Sequence, residues 1–362
     1  MRKLLFFASD FRIGLSSLLT DQIIALKQAG VDVIGVAGTN EQEPGLGDIL
    51  KSEGVNIERV PGLDEHNDFK RLVSEIIRIV IDDNIECIHV QNNWQLAIAS
   101  AVRLRLFFKR RFKIVYTIHG FRHNSPAKAI IARFLIGSAL HLVADHVICM
   151  TTYLKKKFLL LSYKIKLIRL GIKDDYFIDS FIKPTTQGLN IVFPAQFRIG
   201  KNQDLLLRSF ANYINLTGDD KALLTLPGTG ELLDKMKKLA TELGISSQVI
   251  FPGFVSKDEI KRLYLNCNLA VITSNSETFG QSIVEPYVLG RCIASTPVGI
   301  APEIINDNSG FIFSNESELT EILVKLSKNK DLLISYGENN FANKDQFRWG
   351  AITAEYIEKI LR

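Results

Sequence analysis

Short apolar runs alternate along the chain with longer stretches in which apolar residues recur every three or four positions. Runs of the first kind occupy 3–8 (KLLFFA), 32–37 (DVIGVA), 86–90 (ECIHV), 113–118 (KIVYTI) and 146–150 (HVICM), and between them 15–29 and 69–82 carry helical periodicity. A second series of strands is expected at 190–195, 222–226, 248–251, 269–273 and 292–295, with helices near 203–215, 231–243, 257–266 and 316–328. Strands that alternate with helix-length amphipathic segments predict parallel sheets wrapped by helices. The 362 residues exceed what one hydrophobic core usually organises. The pattern therefore predicts an α/β domain over 1–172, a turn-rich linker over 173–188 and a second α/β domain over 189–345. A last helical segment, 346–362, need not belong to the domain before it and has the option of crossing back to the first. Two doubly wound domains facing each other leave a cleft at the carboxyl ends of their strands, where such folds bind ligands.

Composition adds little until charge is mapped by position. No run reaches the ~18 apolar residues of a membrane-spanning helix, and the start, MRKLLFFASDFRIG, reads as a first buried strand rather than a signal peptide. A cytoplasmic protein is the expectation. Cys87, Cys149, Cys267 and Cys292 are scattered in apolar segments without C-x-x-C spacing, which fits reduced core thiols. The formal net charge of +5 conceals an asymmetry, because residues 101–170 hold fifteen Lys and Arg against a single acid, Asp145, leaving the remainder at −9. Those bases are interleaved with bulky apolar residues, as in LRLFFKRRFKIVY, the mixture expected where a surface meets anionic lipid headgroups. A solvated basic face is the plain alternative. No nucleic-acid recognition motif accompanies the charge.

The densest candidate for chemistry is SNSETFGQSIVEPYVLG at 274–290, a segment that follows a strand and opens a helix. Backbone amides near Phe279, Gly280 and Gln281, with Thr278 just before them, would meet a diphosphate at the helix N-terminus. Glu277 lies before the helix and Glu285 inside it, so one carboxylate can reach a sugar and the other a ribose diol. A solvated helix face is the ordinary meaning of two Glu at that spacing; the strand, glycine turn and helix around them favour a site. There is no D-x-D and no His/Cys cluster at a plausible position, so no metal or other cofactor is implied.

These residues resemble the family-4 glycosyltransferases of the GT-B fold, whose E-x7-E signature matches Glu277 through Glu285 with TFG between them. FPAQFRIGKNQ (193–203), LPGTGEL (226–232), VIFPGFVSKDEI (249–260) and STPVGIAPEII (295–305) follow in the family's order. The resemblance implies two Rossmann-like domains, acceptor-side and donor-side, and retention of anomeric configuration. It implies that Glu277 contacts the donor sugar or its phosphate, that Glu285 binds the ribose hydroxyls and that Lys201 holds the diphosphate. His119, after the strand KIVYTI, is similar to a family histidine that touches the donor sugar, and Gly14 to a glycine of the donor loop. Backbone near Gly253, Phe254 and Val255 would read a uracil or guanine base. Where the family has arginine this chain has Gln196, and Arg198 is the candidate replacement. His89, His141 and His146 lie among apolar residues and read as packing residues.

The implied activity is transfer of a hexose or N-acetylhexosamine from a nucleoside-diphosphate sugar to a lipid-diphosphate-linked saccharide. Its setting would be surface polysaccharide assembly such as O-antigen or capsule, at the inner face of the plasma membrane, with residues 101–170 against anionic lipid. A GT-B nucleotide-sugar epimerase would share the cleft and need no acceptor, and a degenerate scaffold subunit would need no catalysis; intact Glu277, Glu285 and Lys201 speak against the second.

Overall fold

The computed structural model describes residues 3–7, 15–38, 46–63, 68–119, 137–138, 140–156, 163–185 and 187–362. Gly14, a candidate donor-loop residue, lies outside them. The chain forms two compact units, one of residues Met1–Gly171 with Trp349–Arg362, the other of Ile172–Arg348.

The first unit is built on seven parallel strands: β1 (Lys3–Phe7), β2 (Asp32–Ala37), β3 (Asn56–Arg59), β4 (Cys87–Val90), β5 (Lys113–Thr117), β6 (His146–Cys149) and β7 (Ile165–Leu167). They lie in the order β3-β2-β1-β4-β5-β6-β7. Both faces are covered by helices, which is why β4 is buried at every position and reads as a continuous apolar run. The helices include α1 (Leu15–Gln28), α2 (Leu46–Ser52), α3 (Phe69–Asp82), α4 (Asn93–Arg105) and α5 (Thr152–Lys156). In α3 the buried set Leu72, Val73, Ile76, Ile79 and Val80 recurs at helical spacing, and Asp68 caps the first turn by accepting from the Arg71 amide at 3.2 Å. The cap of α4 is Asn92, which accepts from the Gln95 amide at 2.9 Å. No helix among the described residues is long and apolar enough to cross a membrane.

The second unit carries six parallel strands, β8 (Asn190–Val192), β9 (Leu223–Pro227), β10 (Val249–Gly253), β11 (Leu269–Ile272), β12 (Cys292–Ser295) and β13 (Gly310–Ile312), in the order β10-β9-β8-β11-β12-β13. Its helices are α6 (Gln203–Thr217), α7 (Leu233–Glu242), α8 (Lys257–Asn266), α9 (Gln281–Val288), α10 (Ala301–Ile304), α11 (Glu316–Lys328) and α12 (Asp331–Ala342). Sequence-based reading had placed most of these strands but not β3, β7 or β13, each only three or four residues long.

Residues 173–188, read as a linker, are held against the second unit. Tyr176 and Phe177 are buried, and the Asn268 amide donates to the carbonyls of Thr185 at 2.9 Å and Gly188 at 2.7 Å. The fully buried Arg291 guanidinium donates to the carbonyls of Ile182, Leu289 and Cys267. Carbonyl oxygens thus satisfy a charge that burial alone would make costly. The final helix, α13 (Trp349–Tyr356), is part of the first unit. There the Tyr356 hydroxyl meets His89 Nδ1 at 3.0 Å, and Lys113 donates to the Ile360 carbonyl at 3.0 Å. All four cysteines are buried free thiols. His89 is a core residue and His146, at the start of β6, is half-buried, but His141 is exposed, because it lies on the outer side of a short helical segment.

Candidate functional site

In doubly wound sheets ligands bind beyond the carboxyl ends of the strands where the strand order reverses. In the second unit that point falls between β8 and β11. The loop after β8 carries Gln196, Arg198 and Lys201; the loop after β11 carries Glu277, Thr278, Phe279 and Gly280 and leads into α9 at Gln281.

Several bonds lock these loops together. The Asn275 amide donates to the Gly200 carbonyl at 2.8 Å, and Thr273 Oγ1 donates to the Lys201 carbonyl at 2.8 Å. Asn202 donates to the Thr273 carbonyl at 3.1 Å. Lys201 Nζ thereby reaches Glu277 Oε1 at 2.5 Å, an ion pair in which both side chains are largely but not wholly withdrawn from water. Gly280 opens α9 with φ 96°, a left-handed conformation that favours glycine. A Cβ at Gly299, whose φ is 53°, would sit 2.3 Å from the Phe279 carbonyl, and the same carbonyl accepts from the Ile300 amide at 2.8 Å. Gly299 therefore lets the segment after β12 close directly onto the 277–280 turn. Beyond this turn the first amides of α9 face outward at a helix N-terminus, where the helix dipole favours an anion. An ammonium, a helix N-terminus and a carboxylate are thus concentrated beyond the carboxyl ends of the two central strands. That combination can hold a diphosphate while leaving Glu277 to accept from a sugar hydroxyl.

Glu285 lies one turn further along α9. Burial, partly offset by the Lys257 ammonium and reinforced by Asp175, pushes its carboxyl up to about 8. Tyr176 and Tyr264 are raised by burial and then by Glu285, so the carboxyl sits among phenols. Pro286 has no N–H to give to the Ser282 carbonyl, and the Tyr264 hydroxyl approaches that oxygen at 3.4 Å instead. A carboxyl in such surroundings is suited to a pair of hydroxyl donors, whose hydrogen bonds favour the ionised form.

Of the other sequence candidates, Arg198 lines a depression of about 180 Å³ with Gly200, Asn202, Asp204 and Lys235; its carbonyl accepts from the Lys201 amide at 3.2 Å, and its Nε is buried without a partner among the described residues. Gln196 is exposed, its carbonyl accepting from the Gln203 amide at 3.1 Å. Gly253, Phe254 and Val255 follow β10, two strands from the reversal; the Gly253 carbonyl accepts from the Gly228 amide at 2.7 Å and the Phe254 ring is 79% exposed. Among the described residues no cluster of His, Cys, Asp or Glu could hold a metal ion.

In the first unit the strand order reverses between β1 and β4. His119 stands beyond β5, the next strand, and its Nε2 and Gln91 Oε1 lie 2.6 Å apart in a hydrogen bond. Gln91 is only 4% exposed, its amide nitrogen is buried without an acceptor among the described residues, and its backbone N–H donates to Gln95 at 2.7 Å. It holds the His119 ring in place, a role that the sequence does not show. The available signal was a polar residue closing the apolar strand ECIHV. His89, beside it, is held neutral: burial, then the charge of His119, lowers its pKa to about 3.

Comparison with known proteins agrees with this division of the chain. Residues 14–176 match the model of Glycosyltransferase Family 4, and residues 178–342 that of Glycosyl transferases group 1. The alpha-monoglucosyldiacylglycerol synthase of Streptococcus pneumoniae is 23% identical over 70% of this chain and 61% of its own length. An uncharacterized glycosyltransferase of Methanocaldococcus jannaschii is 30% identical over 32% of this chain and 29% of its own. The chain thus spans less than two thirds of these relatives' lengths. Anabaena Alr3699/HepE, solved in complex with UDP, superposes with a TM-score of 0.80 at 17% identity over the whole of both chains. With its two parallel sheets in this order and both halves matched by glycosyltransferase models, the chain is a GT-B-fold relative of the family-4 and group-1 glycosyltransferases.

Proposed function

We propose that the protein is a retaining glycosyltransferase that transfers a hexose or N-acetylhexosamine from a UDP- or GDP-sugar to a lipid-linked saccharide in surface polysaccharide assembly. The observation that carries this reading is the Lys201–Glu277 pair at the strand-order reversal, beside the N-terminus of α9. Lys201 and the helix amides would stabilise the negative charge that develops on the leaving diphosphate, with no divalent cation required. Glu277 would orient the donor sugar and Glu285 the ribose. On the family resemblance His119 is assigned a contact to the same sugar, with Gln91 holding its ring. The UDP bound by Alr3699/HepE supports a uridine donor, and the name of the streptococcal relative supports an acceptor carried by lipid. An acceptor of that kind places the enzyme at the inner membrane face, with bases of residues 101–170 toward anionic headgroups.

The test is a thermal melt with UDP, GDP and their sugars, with and without EDTA, followed by transfer assays. A nucleotide at ~100 times its Kd adds about 2.7 kcal/mol to a protein that binds it only when folded. The expected result is a shift from one nucleotide series, insensitive to EDTA and lost in Lys201→Ala, with turnover reduced on the order of 100-fold. A wild-type protein that no nucleotide stabilises would refute the assignment.

A further inference from the structure

The fifteen bases of residues 101–170 do not form one uniform face, and the structure separates those it uses internally from those it presents. Arg103 donates to the carbonyls of Val143 at 2.9 Å and Phe112 at 2.7 Å and pairs with Asp145, the single acid of the region. Lys113 donates to the Ile360 carbonyl and Arg110 to that of Ile85, while Lys164 donates to the carbonyls of His141 and Ala144. These four are structural clamps. At the end of α4 and in the turn after it the situation reverses. Leu104 is 76% exposed and Phe108 97%, and the Phe107 and Phe108 rings stand edge to face, 5.0 Å apart, in the open. Arg105, Lys109 and Arg111 surround them, all exposed, and no acid among the described residues pairs with them. The clamps made by Arg103 and Lys164 draw the segments bearing exposed Leu142 and Tyr163 up to this end of the unit, extending the same apolar and basic surface.

We infer that the tip Leu104–Arg111 is a membrane tether that inserts Phe107 and Phe108 among anionic headgroups while Arg105, Lys109 and Arg111 bind them. Exposed aromatic rings framed by unpaired cations match an anionic bilayer surface in both chemistry and charge. The inference rests on the proposed reading of a membrane-carried acceptor and narrows it from a long basic region to one turn. Position adds a consequence. The tip precedes β5, whereas His119 follows it, so the tip lies at the amino ends of the strands and His119 at the carboxyl ends. The five residues of β5 alone separate the two ends by about 13 Å. Contact here would raise the enzyme's concentration at the membrane without itself lining the candidate site.

The experiment is co-sedimentation of the full chain with vesicles of phosphatidylcholine, alone or mixed with phosphatidylglycerol, at low and high salt. Wild type is expected to bind only the mixed vesicles and to be released by salt. Phe107→Ser/Phe108→Ser should weaken partitioning about tenfold, and Arg105→Gln/Lys109→Gln/Arg111→Gln about fivefold per charge removed. Neither variant should change the nucleotide-induced melting shift or turnover on a water-soluble acceptor. If wild type binds anionic vesicles and both variants bind equally well, the tip is overturned while the membrane reading stands. If wild type binds no vesicle, both fall, and self-association in gel filtration that Phe107→Ser/Phe108→Ser abolishes would reassign the tip to a contact between copies.

Discussion

Replacing Glu285 by Gln should make the protein more stable at pH 8 while leaving it nearly unchanged at pH 5. In the folded protein the carboxyl titrates at about 8 against an ordinary 4.5, mainly because α9 and its neighbours remove it from water. Between those two values the folded state holds a proton that the unfolded state has released. Stability contributed by the protonated group is therefore complete below pH 4.5 and is lost as pH rises towards 8. Each unit is worth ~1.4 kcal/mol, so the span from pH 5 to 8 corresponds to roughly 4 kcal/mol. Glu285 keeps partial contact with solvent, and screening by that water brings the figure to about 2 kcal/mol. For a unit of this size that amounts to about 4–8 °C in Tm. Thermal melts of wild type and Glu285→Gln across pH 5 to 8 check it, since their difference cancels every other titrating group. A wild-type Tm that falls with pH no faster than the variant's would refute the buried-carboxyl account.

His89 should make the first unit acid-sensitive. Its pKa of about 3 lies below the ordinary 6.5, so its contribution is present above pH 6.5 and is lost as pH falls towards 3, by about 3 kcal/mol at pH 4; His89→Gln, compared by urea unfolding at pH 7 and pH 4, should flatten that loss. Gly299→Ala should cost about 1–3 kcal/mol in stability and abolish the nucleotide-induced melting shift, because its Cβ would displace the Phe279 carbonyl and with it the 277–280 turn. Arg198→Ala should leave turnover within about twofold of wild type, since its side chain lines a depression with Asp204 and Lys235; a loss approaching that of Lys201→Ala, about 100-fold, would return Arg198 to the diphosphate.

Local pattern and tertiary placement contributed different parts of this picture. The strands β1, β2, β4, β5 and β6 were legible because burial between two layers of helices requires continuous apolar runs, and α3 because one buried face recurs every three to four residues. Helix α4 escaped that reading: its buried face includes the polar Gln95, while Leu104 on the opposite side is 76% exposed, which blurs the contrast between faces. Glu277, Lys201 and Glu285 could be named from motif spacing, since loop and helix starts fix them locally. Their states could not be named so. The ion pair joins residues 76 positions apart, and the raised carboxyl of Glu285 depends on burial by the surrounding fold, opposed by Lys257 and reinforced by Asp175 from two other segments. Gln91 acquires meaning only when the sheet sets β5 beside β4 and brings His119 to it. Likewise fifteen bases were countable in sequence, but which are clamps and which face solvent was decided by carbonyls presented from distant segments. Sequence by itself determined the elements and the candidate chemistry, because both depend on near neighbours along the chain. Partners, protonation and exposure were decided by the tertiary structure alone, because electrostatic and hydrogen-bond energies depend on distance in space.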